Sequence, residues 1–449
     1  MESERGVSAD MNDFSAYPGS IAAALRARWL GQGLDATLLP GDPTLVALLD
    51  TMYQASLLRE EGVPVQCRVM FADPQTVADG CDDSVGTLHV LTFDQPTPLS
   101  AHNLRKLAAA AGFYRAVLGV MMDDDGLLVV WGMLVTGTDW VNRTQETGDK
   151  AGGRQNVRLP PNLLVQVLSP GHLIAASGYT RVLESSRGQL HTDGFDPFQS
   201  LWLQRRFRSV RETLMSELDE HRKNSESMPP ASCRVCDHFI RDVAQATVKR
   251  TLRLVRTRRH GGILVYLPTG AGNPGSDESS RLDEWFRFRV RFTADESTLR
   301  FRRLIVRLLQ RVAVVGDAHG MDLVTWDDCQ HMQDAEISQV TEALIEFSHL
   351  LADLMSVDGS LVLDHTFQLI GFGGEILGNS HARKIHQALD LEVESYVVEP
   401  ADTSGTRHRS AYRLVSGCHE ALAVIVSQDG DVRFVAQHEG NLTYWPYLP

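Results

Sequence analysis

Between Ala335 and Met355 the apolar residues Ile337, Val340, Leu344, Phe347, Leu351 and Leu354 recur every three or four positions, which lays one apolar stripe along a helix. The same spacing puts Leu45, Leu48, Leu49, Met52 and Ala55 on one face of a helix opened by Asp42 as N-cap and Pro43 at its first position. Residues 20–30 and 99–111 also read as helices, the second capped by Ser100. Strand patterns fall at 65–71, 116–120, 126–135, 163–168 and 173–176, and Asp123-Asp124-Asp125-Gly126 makes a hairpin turn between two of them. Residues 142–161 are a polar, glycine-rich loop.

A long helix over 198–219 then leaves this region, and the polar stretch 220–232, ending in Pro229-Pro230-Ala231-Ser232, fits a linker. The expected division is therefore an N-terminal domain over 1–219, a linker over 220–232 and a second domain over 233–449. The second opens with a helix through Phe239, Val243, Ala246 and Val248 and a strand at Gly261-Gly262. Residues 269–321 read as an insertion, first rich in glycine and serine, then in arginine. From Trp285 to Phe292 apolar residues alternate with arginines, as in a strand with one wet face; stacking on single-stranded nucleic acid is the other reading. Short strands follow at 361–363, 368–371, 422–426 and 432–436. The predicted fold class is α/β (α+β): a mixed sheet flanked by helices on both sides, preceded by a separate α/β domain.

A chain of 449 residues, 43% of them hydrophobic, is long enough for two or three domains with their own cores. It has no apolar run of eighteen residues, and its acidic start lacks a signal pattern, so no membrane span and a cytoplasmic location are expected. A net charge of −14 argues against a broad DNA-binding surface. The basic clusters at 249–260 and 287–311 are either solvated helix faces or a local positive funnel for a nucleotide or partner. Six cysteines make no disulfide framework; Cys233 and Cys236 are half a zinc site, a redox pair or two reduced thiols. The three aspartates at 123–125 lack the spacing of a calcium loop.

The chemistry concentrates in Gly405-Thr406-Arg407-His408-Arg409-Ser410-Ala411 and in Val357-Asp358-Gly359-Ser360. A glycine-led turn followed by Arg-His-Arg offers free amide groups and planar cationic forks, which suit a polyphosphate. Asp-Gly-Ser ends an apolar helix and opens a strand, which puts one carboxylate on a tight turn. Together with the Ser427-Gln428 strand end and the Gly261-Gly262 strand, these pieces resemble the diadenylate cyclase domain, whose signature is Asp-Gly-Ala plus Gly-Thr-Arg-His-Arg with a Ser-Glu or Ser-Gln strand end downstream. The likeness covers the C-terminal half, with the pieces in the family's order. The N-terminal half resembles, with low specificity, the sensor regions joined to such cyclases.

The resemblance implies condensation of two ATP molecules to cyclic di-AMP with loss of two pyrophosphates. It further implies that two domains, each holding one ATP, meet face to face, so that activity requires at least a homodimer. It assigns Asp358 to a divalent metal (Mg2+ or Mn2+) or to the attacking hydroxyl. Arg407, His408 and Arg409 are assigned to charge on the phosphoryl group and pyrophosphate, and Gly359, Ser360, Gly405, Thr406, Ser410, Ser427 and Gln428 to ATP binding, with adenine against a 371–377 loop. Ser360 stands where the family has Ala, Gln428 where many members have Glu, and 373–404 is longer than usual, a lid or a partner surface. The alternative is a catalytically silent sensor of the same fold that binds a nucleotide or cyclic dinucleotide. In either case the N-terminal half is expected to regulate in response to an unknown ligand, and a fragment starting near Pro230 to retain activity if it dimerises.

Overall fold

The computed structural model describes residues 16–79, 88–136, 159–191, 196–224 and 233–447, apart from 114, 179, 187, 259, 274, 379–381, 404 and 429–430. Most of the expected linker and of the 142–161 loop lies outside them. The chain divides into two compact units, Met1–Asp193 and Gly194–Pro449, both mixed α/β.

In the first unit, helices Pro18–Gly31, Asp42–Ser56 and Ala101–Ala111 cover a sheet of eight strands. Ile21, Leu25, Trp29 and the predicted Leu45, Leu48, Leu49, Met52 and Ala55 stripe are buried against Val69, Val120 and Val165. Gly41, rather than Asp42, is the N-cap residue, and Asp42 and Pro43 open the first turn. Ser100 caps its helix by accepting from the Asn103 amide at 3.2 Å. The aspartate-rich turn is a hairpin closed by Asp123 Oδ1, which accepts from the Leu127 amide at 2.8 Å. Strands Cys67–Phe71 and Ala116–Met122 run parallel, and their neighbours pair antiparallel.

The second unit is built on a mixed sheet. Strand Gly262–Leu267 lies at its centre, parallel to Ser360–Asp364 on one side and antiparallel to Leu422–Val426 on the other. Period-two alternation buries both faces: Leu264, Tyr266, Leu361, Leu363, Val424 and Val426 turn to one core, Ile263, Val265, Val362, Ala423 and Ile425 to the other. Helices Phe239–Thr257, Arg300–Ala318 and Ala335–Met355 pack on the first face, Asp277–Trp285 and Thr406–Gly417 on the second.

Three expectations change here. Residues 196–219 belong to the second unit and not to the N-terminal domain: the Trp202 ring stacks on Trp445 with centroids 4.1 Å apart, and Arg206 donates to the Ala421 carbonyl at 3.0 Å. The helix predicted there breaks at Phe207 into Leu201–Arg206 and Arg208–Asn224. The 269–321 segment is not a peripheral insertion, since its Arg300–Ala318 helix buries Phe301, Ile305, Leu308, Leu309 and Val312 in the core while its arginines stay on the other face. The 373–404 segment adds strands Lys384–Ala388 and Tyr396–Pro400 to the sheet, the first parallel to Asn441–Tyr447.

Candidate functional site

The registers Gly262↔Val426 and Ile263↔Ser360 fix which residues share one end of the sheet. His260-Gly261 precede the central strand, Asp358-Gly359 precede one neighbour, and Ser427-Gln428 follow the other. The three segments therefore lie side by side, with about 10 Å, or two strand spacings, between Asp358 and Ser427. Asp358, Gly359 and Gln428 are exposed.

Gly405-Thr406-Arg407-His408-Arg409 is not a loop but the first turn of helix Thr406–Gly417, with Gly405 as N-cap. No side chain caps this end, so its amide groups and the positive end of the helix dipole face outward, which favours an anion. The helix brings Arg407 to the sheet end, where Nη2 donates to the His260 carbonyl at 3.4 Å. Gly261, at φ +66°, makes room for it: a Cβ there would meet Arg407 Nη1 at 2.8 Å, the Val426 carbonyl at 2.9 Å and the Gln428 amide nitrogen at 3.1 Å. The Gly-Thr-Arg-His-Arg turn, the Ser-Gln strand end and the glycine before the central strand thus converge.

His408 is only half-buried, yet burial and then the neighbouring Arg433 push it down to about 4, with Asp431 pulling the other way and Arg407 adding to the fall. In the free protein it is neutral near pH 7 and can serve as a hydrogen-bond donor; a bound polyphosphate would raise its pKa again. Arg409 is exposed, with its carbonyl 3.4 Å from Arg413 Nε, and the Ser410 hydroxyl accepts from Arg413 at 3.1 Å. Ser427 closes the following turn: its amide donates to the Asp431 carbonyl at 2.8 Å and its hydroxyl accepts from the Asp431 amide at 3.0 Å.

Across the sheet end, Gly359 at φ +115° lies so close to the neighbouring strand that a Cβ would meet the Gly373 carbonyl carbon at 2.6 Å. Ser360 is buried and donates to the Gly374 carbonyl at 2.8 Å. Its hydroxyl is thereby spent inside the sheet and not offered to a nucleotide, and this bond is what lets Ser occupy a buried position. Residues 371–377, expected as a loop beside adenine, lie mostly within strand Leu369–Ile376, crowded by Phe286, Phe288 and Arg289. Among the described residues no three His, Cys, Asp or Glu side chains are grouped as a metal site.

Sequence reasoning missed Arg433. It donates to Tyr412 Oη at 3.3 Å, and its guanidinium lies 4.4 Å over the Tyr444 ring. Tyr444 Oη in turn bonds Gln387 at 2.9 Å and Glu399 at 3.0 Å, which ties the two added strands to the helix that carries Arg407. The signal was present: Arg433 shares the face of Val435, an inward position where an arginine needs partners.

No curated protein matches the chain. Among solved structures it is similar to a hypothetical membrane spanning protein from Bacillus cereus, at 13% identity and a TM-score of 0.23 over 55% of this chain and 93% of that one. It is also similar to a double mutant of DacA from Staphylococcus aureus, at 14% identity and a TM-score of 0.21 over 45% of this chain and 86% of that one. Likeness this slight assigns nothing to this chain. Within the first unit, residues 34–135 match the model of the family described as "Probable sensor domain DACNV".

Proposed function

We propose that the second unit is a diadenylate cyclase regulated by the first. The observation that carries this reading is the convergence, at one sheet end, of Asp358-Gly359, the Arg407-bearing helix start and the Ser427-Gln428 turn. The sensor-type match over residues 34–135 supports the same reading, because that sensor accompanies diadenylate cyclases.

In the reaction the 3′-hydroxyl oxygen of one ATP attacks the α-phosphorus of a second. A P–O bond to pyrophosphate breaks as the new one forms, and the hydroxyl proton leaves to solvent or to a carboxylate. A second such step closes the ring, giving cyclic di-AMP and two pyrophosphates. Helix-end amides, Arg407 and Arg409 hold the polyphosphate and the charge that builds on the leaving group. Neutral His408 hydrogen-bonds a phosphate oxygen, and Gln428 and the Ser427 hydroxyl orient the nucleotide. Asp358 faces the attacking hydroxyl. A Mg2+ or Mn2+ ion fits this site as one carboxylate plus substrate phosphate oxygens, and when bound it would supply charge neutralisation. Because one domain offers a single such sheet end, the two nucleotides come from two copies, and the active form is a homodimer or larger. ATP as substrate places the reaction in the cytoplasm.

The test incubates the purified full chain with ATP and Mn2+ or Mg2+ and measures cyclic di-AMP. ATP binding without product would leave the second unit as a silent nucleotide receptor; no binding at all would remove the reading.

A further inference from the structure

Strand Tyr396–Pro400 is the last of its sheet: Lys384–Ala388 pairs with it on one side, and none of the described strands pairs with it on the other. Leu389 donates its amide to the Ser395 carbonyl at 3.0 Å, and Ala401 to the Arg383 carbonyl at 3.2 Å. Bonded positions alternate along an antiparallel strand, so Ser395, Val397, Glu399 and Ala401 turn their backbone groups to this neighbour. The amides and carbonyls of Tyr396 and Val398 point the other way, to the open edge, where Pro400 follows with no amide to offer.

Open edges are usually guarded by charge, proline or a bulge. Here Pro400 guards one end, while Tyr396, Val397 and Val398 are 49%, 36% and 45% exposed, on both faces of the strand. The stretch is also held ready. The Asp390 carboxylate accepts from the amides of Glu392 and Glu394, each at 3.0 Å, and of Ser395 at 2.6 Å, which fixes the turn into the strand. The Tyr396 ring stacks on His386 with centroids 4.3 Å apart. Little ordering therefore remains to be lost when a partner pairs with this edge.

The edge matches itself. Turned about a two-fold axis through Val397, a second copy sets Tyr396 opposite Val398 twice, and Val397 opposite Val397. Each Tyr–Val pair exchanges both of its hydrogen bonds, which satisfies every outward group of Tyr396 and Val398, and aromatic–β-branched pairs across strands are favourable. An axis through Val398 would instead leave the Tyr396 carbonyl facing a proline. Charge agrees with the first register. Lys384, level with Pro400, comes within two strand spacings, about 10 Å, of Glu394 of the second copy on the same face, and no like charges stand opposite one another. Both side chains are exposed, and among the described residues neither has an ion-pair partner.

We propose that this edge is a self-association surface, at which two copies of the chain pair antiparallel through residues 396–398 and join their sheets into one. It lies four strand spacings, about 19 Å, from the Leu422–Val426 strand that leads to Ser427, so it is separate from the Asp358 sheet end and needs no nucleotide. The experiment follows the full chain by sedimentation velocity, without nucleotide, over a concentration series. So short a strand pair is a small contact, and a reversible dimer with a Kd on the order of micromolar is expected. Val398→Lys changes an exposed position and so keeps the fold; it should weaken association about tenfold or more, because each dimer loses two Tyr–Val pairs. Val397→Cys faces its own mate across the axis at a Cα separation of about 4.5 Å, and mild oxidation should link it covalently. Val398→Cys, set two residues out of step with its mate, should not link beyond the wild-type background. The proposal is overturned if the wild-type chain stays monomeric up to about 100 μM. It is equally overturned if Val398→Lys associates as well as the wild type, which puts the contact on another face, or if Val397→Cys links no more than the wild type.

Discussion

Substituting Gly261 by alanine probes stability and ligand grip at one position. At φ +66° an L-residue costs roughly 1–2 kcal/mol. The new methyl must also displace the Val426 carbonyl, 2.9 Å away and fixed within the sheet pairing, whereas Arg407 Nη1 at 2.8 Å ends a flexible side chain and can swing aside. The total is about 2–3 kcal/mol, most of it backbone strain. In a unit of this size that corresponds to a Tm lower by about 4–12 °C. The displaced guanidinium leaves the His260 carbonyl, and the affinity for ATP should fall about tenfold, the scale of one charge-assisted hydrogen bond. Thermal unfolding and calorimetric titration with ATP read the two effects separately. Arg407→Ala should reproduce the affinity loss with a stability change under about 1 kcal/mol. In the double variant the affinity losses should not add, because both act through the same side chain. A wild-type Tm for Gly261→Ala would refute the strained-backbone reasoning. A lowered Tm with unchanged affinity would show that Arg407 does not touch the nucleotide.

Asp358→Asn keeps an exposed turn isosteric, so ATP binding should persist while cyclic di-AMP formation falls by about 10²–10³, and near-normal turnover would remove this carboxylate from the mechanism. Ser360→Ala should cost about 1 kcal/mol, because the Gly374 carbonyl loses its buried partner, with little effect on ATP affinity; denaturant unfolding and titration check both. Tyr266→Phe should raise the unfolding free energy by up to about 1 kcal/mol, since an unpaired hydroxyl leaves the interior; a loss of stability would mean that the hydroxyl has a partner. For His365 and His408 the folded pKa, about 4, lies below the ordinary 6.5, so between those values the unfolded chain binds protons that the folded one does not. Stability should therefore fall as pH drops from 6.5 to 4, by up to about 1.4 kcal/mol per pH unit for each group and less for the part-exposed His408, and His365→Gln should flatten the slope.

The Ala335–Met355 helix was legible to the residue because its apolar stripe runs unbroken from Ile337 to Leu354, and the structure adds Asp334 as its cap. The sheet-end chemistry was legible as motifs because glycine, arginine and histidine sit close together in the chain. What stayed hidden depends on distant pairing. Helix Arg300–Ala318 reads as an arginine-rich stretch until its apolar face meets helix Ala335–Met355. Strand Tyr396–Pro400 exposes Tyr396, Val397 and Val398, so it lacks the in-out alternation that marks a half-buried strand. The helical start of Gly-Thr-Arg-His-Arg was read as a loop because no side chain caps it.

The Trp202–Trp445 stack and the Arg206 bond to the Ala421 carbonyl also decide where this chain can be cut or spliced. A fragment beginning near Pro230 would strip Trp445 of its ring partner and take Phe207 away from the Tyr266 and His365 rings. Exchanging the first unit for another domain calls for a joint at Asp193 and Gly194, with residues 196–224 travelling with the sheet they cover. In a modular gene, recombination there would move the first unit and leave the core of the second whole.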